Sequence, residues 1–284
     1  MKNTYRLTIS CPDQVGLVSV VSQFLSDRDA SIVEASHHTD LENNWFFMRH
    51  ELCANSISTD LVSLQTDFKT LADKYDMKWS LNCSSVKQKV LLLASKEDHC
   101  IADLLHRWHC NELDCEIVGL VANHKEVEKF AQWYNIPFHF VDFNVADKSQ
   151  SFEQVESLIE QYKADTIVLA RFMQIIPNDF CARYSGRIIN IHHSFLPSFI
   201  GAKPYHQAYN RGVKLIGATC HYVTAELDAG PIIEQEVMRI THSDSVHDMV
   251  RKGKDCEKAA LSRGLRNHLQ DRVIIHQNKT VVFD

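Results

Sequence analysis

The chain has 284 residues, 45% of them apolar, and a formal charge of −6 from 36 acidic and 30 basic side chains. That length suffices for two hydrophobic cores, and mixed charge without a basic stripe argues against nucleic acid as a partner. No apolar run approaches the roughly 18 residues that span a bilayer, Met1 to Leu7 lacks a signal peptide's apolar stretch, and nine irregularly spaced cysteines without a C-x-x-C pair fit reduced thiols; the expectation is a soluble cytoplasmic protein that does not meet a membrane.

From the N-terminus, Tyr5 to Ile9 alternates as a strand does. Pro12 to Gln14 turns the chain, and Asp13 is placed to cap a helix over Val15 to Leu25. Ala30 to His37 and Asn44 to Cys53 read as strands joined by a polar turn, Ser58 to Tyr75 as an amphipathic helix, and Met77 to Leu81 as a last strand. The order βαββαβ describes a ferredoxin-like unit. With Asp13-Gln-Val-Gly-Leu17 between its first strand and helix, this unit resembles the ACT family of small-molecule-sensing domains over about residues 4–82. The resemblance implies a regulatory and dimerisation domain over residues 1–83. It also implies an amino-acid effector (glycine or methionine) near Asp13, Gly16 and Leu17, and a homo-oligomer, dimer or tetramer. A pairing module with no ligand, in which Gly16 and Leu17 serve packing, is the alternative.

A short polar linker, 84–87, leads into a different pattern. Lys89-Val-Leu-Leu-Leu-Ala94 is a continuous apolar run, as expected of a parallel strand covered on both faces. Helix Cys100–Trp108, strand Cys115–Val121, helix Lys125–Trp133, strand Phe138–Val141, helix Gln154–Lys163, strand Thr166–Ala170 and a strand entering Asn190 continue the alternation. Such alternation predicts a doubly wound, mostly parallel α/β sheet over residues 88–284, which binds ligands beyond the carboxyl ends of its strands. Lys214–Val223 and Pro231–Met238 read as late strands, Ser245–His268 as a long helix, and Val273–His276 with Thr280–Phe283 as a hairpin. Neither a G-x-G-x-x-G nor a P-loop pattern is present, so no nucleotide cofactor is indicated.

The chemistry concentrates in residues 190–231. Asn190 and His192, at i and i+2 of a strand end, share one face. His221 lies in a late strand and Asp228 in the loop closing with Gly230-Pro231. An amide donor, two imidazoles and a carboxylate make an acid/base and oxyanion kit for attack on an acyl carbon. Taken singly, each has a structural explanation: a strand-end hydrogen bond, a surface or core histidine, a turn former.

Ala170-Arg-Phe-Met-Gln-Ile-Ile176, Arg187-Ile-Ile-Asn-Ile-His192, Phe195-Leu-Pro197 and His221-Tyr-Val…Leu-Asp-Ala-Gly-Pro231 resemble the formyltransferase family that uses 10-formyltetrahydrofolate. The resemblance spans residues 88–284. It implies Asn190, His192 and Asp228 as the catalytic trio, with His221 in support. It places Arg171, Phe172, Met173, Gln174, Ile175, Val223 and Glu226 at a folate pocket, and Lys203 and Tyr205 in a basic loop near the folate tail. Folate is then the substrate, and neither a metal nor another cofactor is required. In the branch that formylates glycinamide ribonucleotide, the first strand ends in a Gly-rich turn that holds the acceptor's phosphate. Here that turn reads Ala94-Ser-Lys-Glu-Asp98, with no glycine and two carboxylates. Water therefore replaces the amine, and hydrolysis of 10-formyltetrahydrofolate, releasing formate for purine synthesis, is expected. Burial is expected to raise the pKa of Asp228 and make it a better base. The alternatives are amine formylation, a catalytically silent amino-acid sensor, and a zinc hydrolase built on His192, His193, His206 and His221.

Overall fold

The computed structural model describes residues 3–198 and 204–284. The chain divides into two compact units: residues 1–87 with 270–276 and 280–284, and residues 88–269 with 277–279.

In the first unit, β1 (Thr4–Pro12), β2 (Ile32–Asp40), β3 (Trp45–Cys53) and β4 (Lys78–Cys83) form an antiparallel sheet in the order β2-β3-β1-β4. Helices α1 (Leu17–Ser26) and α2 (Leu61–Lys74) bury Leu17, Val21, Leu25, Leu64, Phe68 and Ala72 against Leu7, Ile9, Met48 and Leu52. This is the ferredoxin-like arrangement expected of an ACT domain. Helix α1 starts at Leu17 instead of Val15, because Gly16 turns the chain at φ 97°, and Asp13 makes no side-chain cap. Asp60 is the residue that caps by side chain, accepting from the Val62 and Ser63 amides.

The second unit holds β5 (Gln88–Ala94), β6 (Cys115–Ala122), β7 (Phe138–Phe140), β8 (Thr166–Ala170), β9 (Ile188–His192), β10 (Leu215–Tyr222) and β11 (Ile232–Arg239). Their order is β11-β10-β9-β8-β5-β6-β7. The five strands from β9 to β7 run parallel, and β10 and β11 join antiparallel. Helices α3 (His99–His109), α4 (Glu128–Tyr134) and α5 (Ser149–Tyr162) supply the crossovers, and the long α8 (Val246–Leu269) packs on β9, β10, β11 and α3. Val90 to Ala94 and Thr166 to Ala170 are buried throughout, as central parallel strands require. Two short helices were not expected: α6 (Asn178–Arg183) and α7 (Pro204–Arg211). Both are too brief and polar to show helical periodicity.

The hairpin β12 (Val273–His276) and β13 (Lys279–Val282) departs from the expected domain boundary. Ile274 and Phe283 pack on Phe47, and Arg49, with no exposed surface, donates to the carbonyls of Gln270 and Asp271. Most of the C-terminal segment therefore belongs with the first unit.

Candidate active site

Strand β9 ends where β10 lies antiparallel to it, and Asn190 pairs directly with His221. A register shift between Cys220 and His221 interrupts the β10–β11 ladder there, the kind of bulge that re-aims a side chain. Asn190 Nδ2 lies 3.2 Å from His221 Nε2, and His221 Nδ1 lies 2.9 Å from the Tyr222 carbonyl oxygen. A carbonyl only accepts, so His221 carries its proton on Nδ1 and accepts from Asn190 through Nε2. Burial lowers its pKa, which keeps it neutral. The Asn190 amide is thus oriented, with its second N–H left for another acceptor.

Asp228 enters from the loop after β10, at φ 55°, a left-handed conformation that aspartate tolerates better than most residues. The following turn needs glycine: a Cβ at Gly230 would sit 1.8 Å from the Tyr222 carbonyl oxygen. Asp228 Oδ2 is 3.2 Å from His192 Nδ1, and Oδ1 is 3.9 Å from His221 Nε2. With Nδ1 turned to the carboxylate, His192 Nε2 is buried and without a hydrogen-bond partner among the described residues. The expected rise in the Asp228 pKa is not found. Burial does push it up, but the hydrogen bond with His192 and the surrounding imidazoles of His192, His221 and His193 outweigh burial, and the net shift is downward. Asp228 is a stably ionised anchor for an imidazole, and a weaker base than burial alone would make it.

These groups open on a cavity of about 500 Å³ lined by Arg171 to Ile176, Asn190 to His193, Leu169, His221, Val223 to Ala225, Leu227 and Asp228. Met173, Ile175 and Leu227 are apolar yet exposed, giving an apolar rim around a polar floor, suited to a flat heteroaromatic ring. Arg171 and Met173 also have positive φ, 62° and 59°, so the wall after β8 is held in an uncommon conformation.

Of the expected residues, the structure brings together Asn190, His192, His221 and Asp228, with Arg171, Phe172, Met173, Gln174, Ile175 and Val223 on the wall. Glu226 is exposed and off the wall. Tyr205 is buried, its hydroxyl donating to Glu257 at 2.8 Å, because the segment it was assigned to is helix α7. Lys203 lies outside the described residues. Lys148, unremarkable in sequence, instead puts an ammonium beside the wall by donating to Gln174 Oε1 at 2.9 Å. His193, also a wall residue, is held neutral by burial and then by Arg171, its pKa lowered to about 4. The carboxylates of the turn after β5 are engaged by neighbouring lysines, Glu97 with Lys254 at 2.6 Å and Asp98 with Lys129 at 3.5 Å, which blunts the repulsion they would offer a phosphate. In the first unit, Leu17 is buried in the core and the Cα of Gly16 faces open space.

His206 is exposed, and His192, His193 and His221 do not form a metal-ligand group. Among the described residues the one such group is His99, Cys100 and Glu257, all in α3 and α8.

The formyl transferase family profile matches residues 88–265. A formyltetrahydrofolate deformylase of Bacillus subtilis is 47% identical over 280 residues, covering 98% of this chain and 93% of that one. The crystal structure of a formyltetrahydrofolate deformylase from Pseudomonas syringae pv. tomato superposes with a TM-score of 0.98 at 54% identity, covering 100% and 95% of the two chains. A phosphoribosylglycinamide formyltransferase from Anaplasma phagocytophilum covers 70% of this chain and 96% of its own, with a TM-score of 0.65 and 29% identity.

Proposed function

The chain belongs to the formyltetrahydrofolate deformylase family, and from that premise we propose that it hydrolyses 10-formyltetrahydrofolate to tetrahydrofolate and formate. The observation that carries this reading is the convergence of an amide, an imidazole and an acid, distant in the chain, on one cavity with an apolar rim.

The formyl oxygen accepts from the free N–H of Asn190, and Nε2 of His192, which carries the lone pair while Nδ1–H faces Asp228, accepts from the attacking water. Water attacks the formyl carbon and gives up a proton towards the His192–Asp228 pair. The oxyanion is held by Asn190 and by the protonated imidazole, whose charge Asp228 offsets from 3.2 Å. Collapse breaks the bond between the formyl carbon and the folate nitrogen. The proton returns to that nitrogen, because an amide anion leaves poorly, and formate departs. Side chains and water suffice for every step.

The wider setting belongs to the same proposal. The enzyme works in the cytoplasm, supplies formate to purine synthesis and balances the one-carbon pool. Its ACT domain senses glycine or methionine and pairs chains into an oligomer; the antiparallel sheet of the first unit, with β2 and β4 at its edges, supports this. The deciding experiment is a product assay on the full chain. We expect formate and tetrahydrofolate in equal amounts, unchanged by added glycinamide ribonucleotide. Formylation of that amine in place of formate release would overturn the reading.

A further inference from the structure

Behind the cavity wall made by Arg171 and His193 lies a charged cluster that the reaction above does not use. Its hub is Glu257, which enters from α8 and is 1% exposed. Its Oε2 lies 2.7 Å from His99 Nε2 and 3.4 Å from Arg171 Nε, and its Oε1 accepts from the Tyr205 hydroxyl at 2.8 Å. The Tyr205 and His193 rings are 6.2 Å apart. The space is full: a Cβ at Gly253 would meet the Tyr205 ring at 2.1 Å.

A carboxylate this deeply buried persists only where opposite charge and donors meet it. His99 and Cys100 lie close enough to Glu257 for a shared metal. However, the Arg171 guanidinium already stands at that carboxylate and repels a cation, and burial holds the Cys100 thiol protonated. The cluster is therefore an internal ion-pair network. Arg171 is the member that reaches the reaction. Its backbone has the left-handed φ of 62°, and the residues after it, Phe172 to Ile176, form the cavity wall. Among the described residues its Nε and Nη1 are buried without a hydrogen bond, and the Glu257 carboxylate, 3.4 Å from Nε, attracts the guanidinium.

We propose that Glu257 is a positioning residue for hydrolysis: through Arg171 and Tyr205 it keeps this wall closed, so that water reaches the formyl carbon and an amine acceptor does not. The inference rests on the hydrolase reading. A cavity of about 500 Å³ lies in the lower half of the usual range of ligand pockets, so the position of this wall decides which nucleophile has room beside the substrate. If the wall relaxes, a small amine can attack the same carbon. Its nitrogen then bonds to the formyl carbon as the bond to the folate nitrogen breaks, and one amine proton goes to the departing tetrahydrofolate.

The test offers hydroxylamine as that amine to the full chain. Formate and formohydroxamate are counted against a protein-free control for the native enzyme, Glu257→Gln and Tyr205→Phe. We expect the native chain to give formate almost alone. Glu257→Gln should raise the ratio of formohydroxamate to formate about tenfold or more and lower kcat up to about a hundredfold, the scale of a displaced active-site wall. Tyr205→Phe, which removes one hydroxyl, should shift the ratio the same way by less. A loss of fold alone would lower both products and leave their ratio unchanged. An unchanged ratio in both variants, or in Tyr205→Phe alone if Glu257→Gln does not fold, overturns the inference while formate release by the native chain still stands. No formate from the native chain would sink the parent reading as well.

Discussion

At the scale of the residue, the site separates groups that carry charge from groups that are held neutral. His221 is neutral because its Nδ1 proton faces a carbonyl and burial disfavours a second proton, so its role is to aim the Asn190 amide. His192 faces an ionised carboxylate at 3.2 Å, and in the proposed reaction it is the imidazole paired with Asp228. Removing one preorganised donor costs about two to three decades in rate. Asn190→Ala should therefore lower kcat by roughly 100- to 1,000-fold, and Asp228→Asn should do at least as much, with circular dichroism unchanged in both. Near-normal turnover in either variant rejects the assignment. Asn190, His192 and Asp228 were legible from their type and order. Their bonding was not, since which imidazole meets the carboxylate depends on how two strands pair, setting Asn190 against His221, 31 residues further along the chain. For the same reason Asp228 was expected to titrate high: burial is suggested by its apolar neighbours in sequence, whereas the opposing imidazoles come from two other strands.

At the scale of the element, two irregularities set the geometry. The bulge at Cys220 and His221 turns an imidazole onto Asn190, and the tight turn at Gly230 brings the Asp228 loop back against Tyr222. Gly230→Ala would drive a methyl into a backbone oxygen that cannot yield as a flexible side chain would. It should destabilise the protein by about 3 kcal/mol, the upper range for overpacking. Turnover should fall with it, because the displaced loop carries Asp228; urea melts paired with formate assays check both. A neutral effect on both would show that the loop is free to move away. Regular strands were readable because a parallel strand covered on both faces leaves an unbroken apolar run, as in Val90 to Ala94. Helices α6 and α7 and the bulge leave no such mark: they are short, and their shape follows from what packs against them.

At the scale of the whole molecule, both units hold histidines that loss of solvent keeps neutral. His50 in the first unit pairs with His37 at 2.8 Å and has its pKa lowered to about 4, by burial and then by His37. In the second unit, His193 and His268 are lowered to about 4 by burial, and His268 links Thr166 on β8 to Tyr222 on β10. An unfolded histidine takes its proton near pH 6.5, before these folded ones do. The unfolded state therefore binds more protons between about pH 6.5 and about 4, and stability is lost as pH falls through that window. The melting temperature should decline steadily from pH 7 to 4.5, and a flat profile would contradict the burial of these rings. By itself the sequence determined the order of the strands and of the longer helices, the two fold types and the residue types gathered at the candidate site. Each of these is written locally, as periodicity, turn chemistry or a short motif. Only the tertiary structure decided that the C-terminal hairpin returns to Phe47 and Arg49, that Tyr205 turns inward to Glu257, and that the neighbouring imidazoles keep Asp228 charged. Those outcomes are set by charges and surfaces that meet between separate elements of the chain, and no local pattern records which of several partners such a side chain will find.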